Sequence, residues 1–308
     1  MENSTLSTLL YHSIFDYPLT INEIHRYLIS DKFVLLSTLK KEIKSLLKTE
    51  KVVSIDGFFQ PSALSHQPSA LIKLRRRRQK ISAEKMIIAV RASKMISMVP
   101  WVKMIAVTGA LAMENADKND DIDLMIVASK NRLWVVRPLV MILISIFFKR
   151  RRPLPNVKTN NPASSAGGQQ PITNNNAICL NLWLDESSLA IPIDEHNLYT
   201  AHELAQMKPV VNRNVTYEKM MWENRWGKAY LANAWRDMNK PISQLPNKPI
   251  SQWNPADLLN RIAFYLQFQF MKSKMTNERV SLHSAFFHPG NRTDTILSAY
   301  DRLCHRNF

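Results

Sequence analysis

Along the first third of the chain, apolar positions fall into short periodic runs separated by polar breaks. Leu6, Leu9, Leu10, Ile14 and Phe15 recur at helical spacing until Tyr17-Pro18 ends the run, since proline lacks the N–H a helix needs and clashes with its preceding turn. Thr20 and Glu23, three residues apart, form a capping box that opens a short helix through Ile24 and Leu28. A third helix is predicted from about Val34 to Lys48, with Leu36, Leu39, Ile43 and Leu46 on one stripe and lysines off it. Val52 to Ile55, Asp56-Gly57 and Phe58 to Gln60 read as strand, type I′ turn and strand. Beyond the turn-rich break from Pro61 to Pro68, a long amphipathic helix is predicted from about Ala70 to Met98.

Strands and helices then alternate. Val102 to Val107 and Ile122 to Val127 predict two strands around a turn at Gly109 and a short helix from Leu111 to Glu114. A helix over Leu133 to Phe148 and a strand over Ile178 to Leu184 follow, separated by a segment, 149–176, whose Pro, Gly, Asn and Ser content reads as a mobile loop. Helices are predicted at 198–207, stopped by Pro209, at 217–238 and at 257–275, with a proline-rich linker at 240–256. Residues 283–308 show no readable period. The expected fold class is α+β, divided into a helical unit with a hairpin (1–65), a basic linking helix (66–99), a core with a mixed sheet (100–195) and a helical C-terminal region (196–308).

Three helices followed by a β-hairpin resemble a winged helix-turn-helix. That resemblance implies a third helix in the DNA major groove and a wing on the backbone. Lys40 and Lys44 on that helix are candidate phosphate contacts, yet its core span has no Arg, Asn or Gln to read base edges. Packing or protein contact is the alternative use of such a module.

Charge sharpens the choice of partners. Forty-one Lys and Arg against 25 Asp and Glu give +16, a field that attracts nucleic acid, nucleotides or an anionic membrane face. Arg75, Arg76, Arg77 and Arg78 in the linking helix are candidates to hold a phosphate backbone or a triphosphate, against the plainer reading of a solvated basic face. Leu133 to Phe148 is 16 residues long and broken by Arg137 and Pro138, whereas a membrane span needs about 20 apolar residues. No stable span is expected; a buried helix with cations just after it is expected instead, with membrane-surface association as the lesser alternative. Two cysteines allow neither a disulfide framework nor a four-thiolate zinc site, and with no secretory leader in view a reducing, cytoplasmic compartment is expected.

The strongest chemical signal lies in 101–128. Asp121 and Asp123 flank Ile122, so strand alternation sends both carboxylates to one face, a natural site for Mg²⁺ or Mn²⁺. Val107-Thr108-Gly109-Ala110, ten residues, then Asp121-Ile122-Asp123-Leu124 resembles the signature of the nucleotidyltransferase superfamily, the group of DNA polymerase beta. The resemblance implies a nucleotidyltransferase-like mixed sheet and paired aspartates binding two metal ions that align a nucleoside triphosphate. It also implies that backbone amides around Thr108, Gly109 and Ala110 hold the β- and γ-phosphates. An acceptor hydroxyl would attack the α-phosphorus and release pyrophosphate; the acceptor is a nucleic acid, a protein or a small molecule. Two parts of the pattern differ: Ala110 stands where the family has serine, and no clear third carboxylate follows. Asn181 holds the inward position on the later strand, and Asp185 at its end is the carboxylate left to substitute. The alternative function is a catalytically silent nucleotidyltransferase-like domain in a winged-helix regulator that binds nucleic acid.

Overall fold

A computed structural model describes residues 2–64, 68–148, 176–236, 255–273, 275, 278–287 and 292–307. The fold is mixed α+β and opens with helix α1 (Glu2–Ser13), strand β1 (Leu19–Thr20) and helices α2 (Ile21–Arg26) and α3 (Leu36–Lys48). Strands β2 (Val52–Ile55) and β3 (Phe58–Pro61) complete this part, in a small antiparallel sheet of order β1-β3-β2. The local signals act as expected. Thr20 and Glu23 make both bonds of the capping box, and Asp56 and Gly57 both adopt positive φ, as a type I′ turn demands.

Helix α4 (Pro68–Ile96) leads into the larger sheet, whose strands lie in the spatial order β7 (Lys208–Asn212), β4 (Val102–Val107), β5 (Ile122–Ala128), β6 (Ile178–Asp185), β9 (Ser284–Phe286) and β8 (Arg279–Val280). Strand β4 (Val102–Val107), the short helix α5 (Gly109–Ala112), strand β5 (Ile122–Ala128), helix α6 (Leu133–Phe147) and strand β6 (Ile178–Asp185) supply its centre. β4 and β5 are antiparallel, while β6 runs parallel to β5, as the intervening helix permits. The β5–β6 register jumps from Leu124↔Leu180 to Met125↔Leu182, so Asn181 is an inserted bulge residue.

The C-terminal third is not purely helical. After α7 (Leu198–Gln206), the chain forms edge strand β7 (Lys208–Asn212) against β4, where Pro209 is tolerated because an edge has spare N–H positions. Helix α8 (Thr216–Glu223) stops at Asn224 and gives way to a 3-10 turn over Arg225–Ala229, well short of the helix predicted to Met238; positions 237 and 238 lie outside the described residues. Glycine is required in that turn, because a Cβ on Gly227 would come within 2.5 Å of the Trp235 ring. Helix α9 (Pro255–Lys272), strands β8 (Arg279–Val280) and β9 (Ser284–Phe286), and helix α10 (Arg292–Asn307) follow. β9 pairs with β6, so the segment without a readable period carries a strand of the central sheet. The predicted loop at 149–176 lies outside the described residues except for Asn176, and the linker at 240–256 except for its last two positions.

Strand alternation divides the core in two. Ile105, Val107, Ile122, Leu124 and Ile126 face a layer made by α4, α6 and α9, whereas Met104, Ala106, Met125 and Val127 face α1, α7 and α8. No described helix is long and apolar enough to cross a membrane.

Candidate active site

Asp123 is the second residue of β5 and points to the α7 side of the sheet, opposite its neighbours Ile122 and Leu124. It lines a cavity of about 420 Å³ together with Thr108, Gly109 and Ala110 of the turn after β4. Gly109 has φ +62, and a Cβ there would stand 3.1 Å from Asp123 Oδ2. Only glycine fits both the left-handed backbone and that approach. The backbone N–H of Thr108 donates to the Asp123 carbonyl oxygen at 3.1 Å, locking the turn to the strand.

The bulge in β6 aims Asn181 at the same spot. Its amide Nδ2 donates to Asp123 Oδ1 at 2.8 Å, so an amide and not a carboxylate stands beside Asp123. Asp185 does not fill that role. It is fully buried at the far end of β6, opposite Ala128, and four residues of strand put it roughly 13 Å from Asn181. There it binds the Asn131 and Ser187 backbone N–H groups and the His283 ring, organising a loop.

Asp121 precedes the strand, and among the described residues it is Asp123, not Asp121, that lines the cavity. Asp121 lies in the field of Lys85, whose side chain is buried and bonded to the Lys118 and Asp120 carbonyls and to Asn176. Burial lowers the Lys85 pKa, and Asp120, Asp121 and Asp117 oppose that shift. One buried lysine therefore ties α4, the loop before β5 and the start of β6 together.

Carboxylates are hard donors of the kind a divalent cation prefers; Asp123 offers one inside the cavity, and Asp121, two residues earlier and outside the lining, would join it on one such ion only by turning from the field of Lys85. A two-ion arrangement with a carboxylate on β6 does not fit, because Asn181 holds that place. Among the described residues no group of three or more His, Cys, Asp or Glu converges as a metal site.

Across the cavity from Asp123 lie Tyr199 and Glu203, one turn apart on α7, and Arg292 at the start of α10. Burial, reinforced by Asp123, pushes the Glu203 carboxyl up to about 7, against the pull of Arg292 and a bond from Gln206. Tyr199 and Arg292 escaped sequence reading, and the sequence offers Glu203 only beside His202, as a metal or general-base pair weighed against a structural histidine; Tyr199 and Glu203 at i and i+4 share a helix face. His202 points the other way: it is buried, stacked on Tyr11 with ring centroids 4.2 Å apart, and does not line the cavity.

The basic candidates separate. Lys40 and Lys44 are exposed on α3. Arg75 is wholly buried, and its guanidinium binds Glu23 at 2.8 Å, the Tyr17 hydroxyl at 2.6 Å and the Glu114 carbonyl at 3.0 Å. It is therefore closed to an external phosphate, a correction explained by its position on the inner face of α4. Arg76 and Arg77 are exposed in ion pairs with Asp56 and Asp117, and Arg78 reaches the Phe15 carbonyl and Asn115. No family model, curated protein or solved structure matches this chain.

Proposed function

We propose that this chain is a nucleotidyltransferase that binds a nucleoside triphosphate with one divalent cation, Mg²⁺ or Mn²⁺, and moves a nucleoside monophosphate to an acceptor. The observation that carries the reading is the approach of the Thr108–Gly109–Ala110 turn to Asp123 at the mouth of a cavity of about 420 Å³. The turn offers backbone donors to phosphate oxygens, and Asp121 and Asp123 hold the cation. When bound, that ion supplies Lewis-acid polarisation of the phosphoryl group. Arg292 is a cation on the cavity wall situated to meet a polyphosphate or its leaving group, and Phe15, Tyr199 and Phe286 offer flat surfaces to a base. An N-terminal module of the order α1-β1-α2-α3-β2-β3 with Lys40 and Lys44 exposed supports a winged helix and a nucleic acid as acceptor.

One observation favours a second reading, a silent nucleotidyltransferase-like sensor in a nucleic-acid-binding regulator: Asn181 engages Asp123 where a carboxylate would activate the acceptor. A single experiment separates the two. Purified protein with Mn²⁺ and α-labelled triphosphates is expected to label RNA, protein or itself, and Asp121→Asn with Asp123→Asn to abolish both labelling and metal-dependent triphosphate binding. Transfer that survives the double substitution removes the site assignment. Metal-dependent binding without any transfer selects the sensor.

A further inference from the structure

Helix α6, expected to be buried, is buried on one side only. Val136, Val140 and Ile144 face the sheet with no exposure, while Leu139, Ile142 and Ile146 are 41%, 56% and 65% exposed. The spacing i, i+3, i+7 makes these three a single outward stripe. Helix α9 packs alongside, tied to α6 by Trp134 N–H donating to Asn260 at 2.9 Å and Arg137 donating to Gln267 at 3.0 Å. Its own outward stripe, Leu259, Ile262 and Leu266, has the same spacing and exposures of 53%, 49% and 64%. Packed helices sit about 8–10 Å apart, so the stripes lie side by side. Six large apolar side chains at about half exposure amount to on the order of 500 Å², the upper end of what a monomer leaves bare.

The flank of this apolar face is basic. Helix α4 packs on the other side of α6, with Ala89, Ala92 and Ile96 buried beneath it. Lys80, Arg91 and Lys94, on its opposite side, are exposed together with Ile87 and a single acid, Glu84, so the stripe keeps a net positive charge. α6 itself contains no acidic residue.

We propose that the outer face of the α4–α6–α9 layer docks on the surface of an anionic lipid bilayer. The apolar stripes would enter the boundary between headgroups and acyl chains while the α4 cations meet lipid phosphates and carboxylates, the two contributions an interfacial protein surface needs. A nucleic acid suits the face poorly, because α6 presents methyl groups where phosphate and base edges require donors. A second copy is disfavoured by charge: it would bring the basic flanks of two molecules, each at +16, together. A bilayer needs no helix long enough to cross it. The face lies on the side of the sheet away from the cavity, so this inference stands whether or not the cavity performs nucleotidyl transfer.

The test is vesicle flotation with the full chain. It is expected to float with vesicles of phosphatidylcholine and phosphatidylserine and not with phosphatidylcholine alone, and added salt is expected to weaken the association. Ile142→Ser with Ile146→Ser, and separately Arg91→Glu with Lys94→Glu, are each expected to lower the floated fraction about fivefold or more. Both pairs are exposed, so thermal unfolding should match the parent. Failure of the parent chain to float with anionic vesicles overturns the proposal. So does flotation indifferent to the isoleucine pair, which would mean adsorption by charge alone, or lipid-free self-association lost in that pair while vesicles are ignored, which would assign the face to a second copy.

Discussion

Gly109 and Gly57 are a matched pair that isolates what a side chain at the site would cost. Both have positive φ, but a Cβ at Gly57 meets nothing within 4 Å, whereas one at Gly109 meets Asp123 Oδ2 at 3.1 Å. Gly57→Ala is expected to lose only the left-handed backbone preference, about 1 kcal/mol. Gly109→Ala must in addition displace a carboxylate already held by Asn181, so a loss nearer 2 kcal/mol is expected. Urea unfolding of the two variants checks this; equal losses would show that Asp123 yields freely. Glu203 is the second residue whose cost can be read. Its raised pKa means that its contribution is fully present below the ordinary value near 4.5 and is lost as pH rises through about 7. Glu203→Gln is therefore expected to stabilise the fold at pH 8 and to change it little at pH 4.5, by urea melts at the two values.

Arg75 shows how one side chain joins elements. It leaves α4 to bind Glu23 of α2 and the Glu114 carbonyl after α5, with its guanidinium 4.1 Å from the Tyr17 ring centroid. Tyr17 in turn donates to the Met113 carbonyl, so the N-terminal helices and the Gly109 turn share one hydrogen-bonded cluster. Arg75→Met leaves Glu23 and the Glu114 carbonyl without their cation, and a loss of roughly 2–4 kcal/mol is expected, the upper values being for pairs buried on both sides. In a double-mutant cycle with Glu23→Gln, losses that simply add would contradict coupling through the cluster. Sequence showed four adjacent arginines but not that the first turns inward, because burial depends on which face of α4 the sheet claims. The same contrast runs through the other elements. The capping box at Thr20, the Asp56-Gly57 turn, β4 and β5 were legible because local chemistry fixes them, whereas Asn181, read as the inward polar position of its strand, is aimed at Asp123 by a bulge in the pairing with β5. β7, β8 and β9 were not: each is short, and β7 contains a proline, so long-range pairing and not local preference makes them strands. The α7 wall of the cavity was hidden for the same reason. Tyr199 and Glu203 acquire meaning only when the sheet brings Asp123 opposite them.

At the scale of the molecule, α1 and α7 meet through a cluster of rings that excludes water from two histidines. Tyr11 stacks on His202, and His12 stands edge-on to it with centroids 5.1 Å apart. Both imidazoles are buried, at 3% and 2% exposure. Burial lowers His12 to about 4, with the Thr8 carbonyl opposing, and lowers His202 well below the ordinary range, with His12 adding to the effect. The unfolded chain therefore takes up two protons, on acidification from about 6.5, that the folded chain refuses. Stability from keeping these rings neutral is present above pH 6.5 and is lost progressively toward pH 4, by about 1.4 kcal/mol per pH unit for each histidine at most. Glu203 changes stability in the opposite direction over part of this range, but two groups outweigh one, so the whole chain is expected to destabilise between pH 7 and pH 5. His202→Phe keeps a ring against Tyr11 and removes one titration, leaving one histidine against Glu203, and is expected to cancel most of that decline. Urea midpoints across this range test it: a decline of undiminished slope in His202→Phe would mean that the acid sensitivity lies outside the α1–α7 junction.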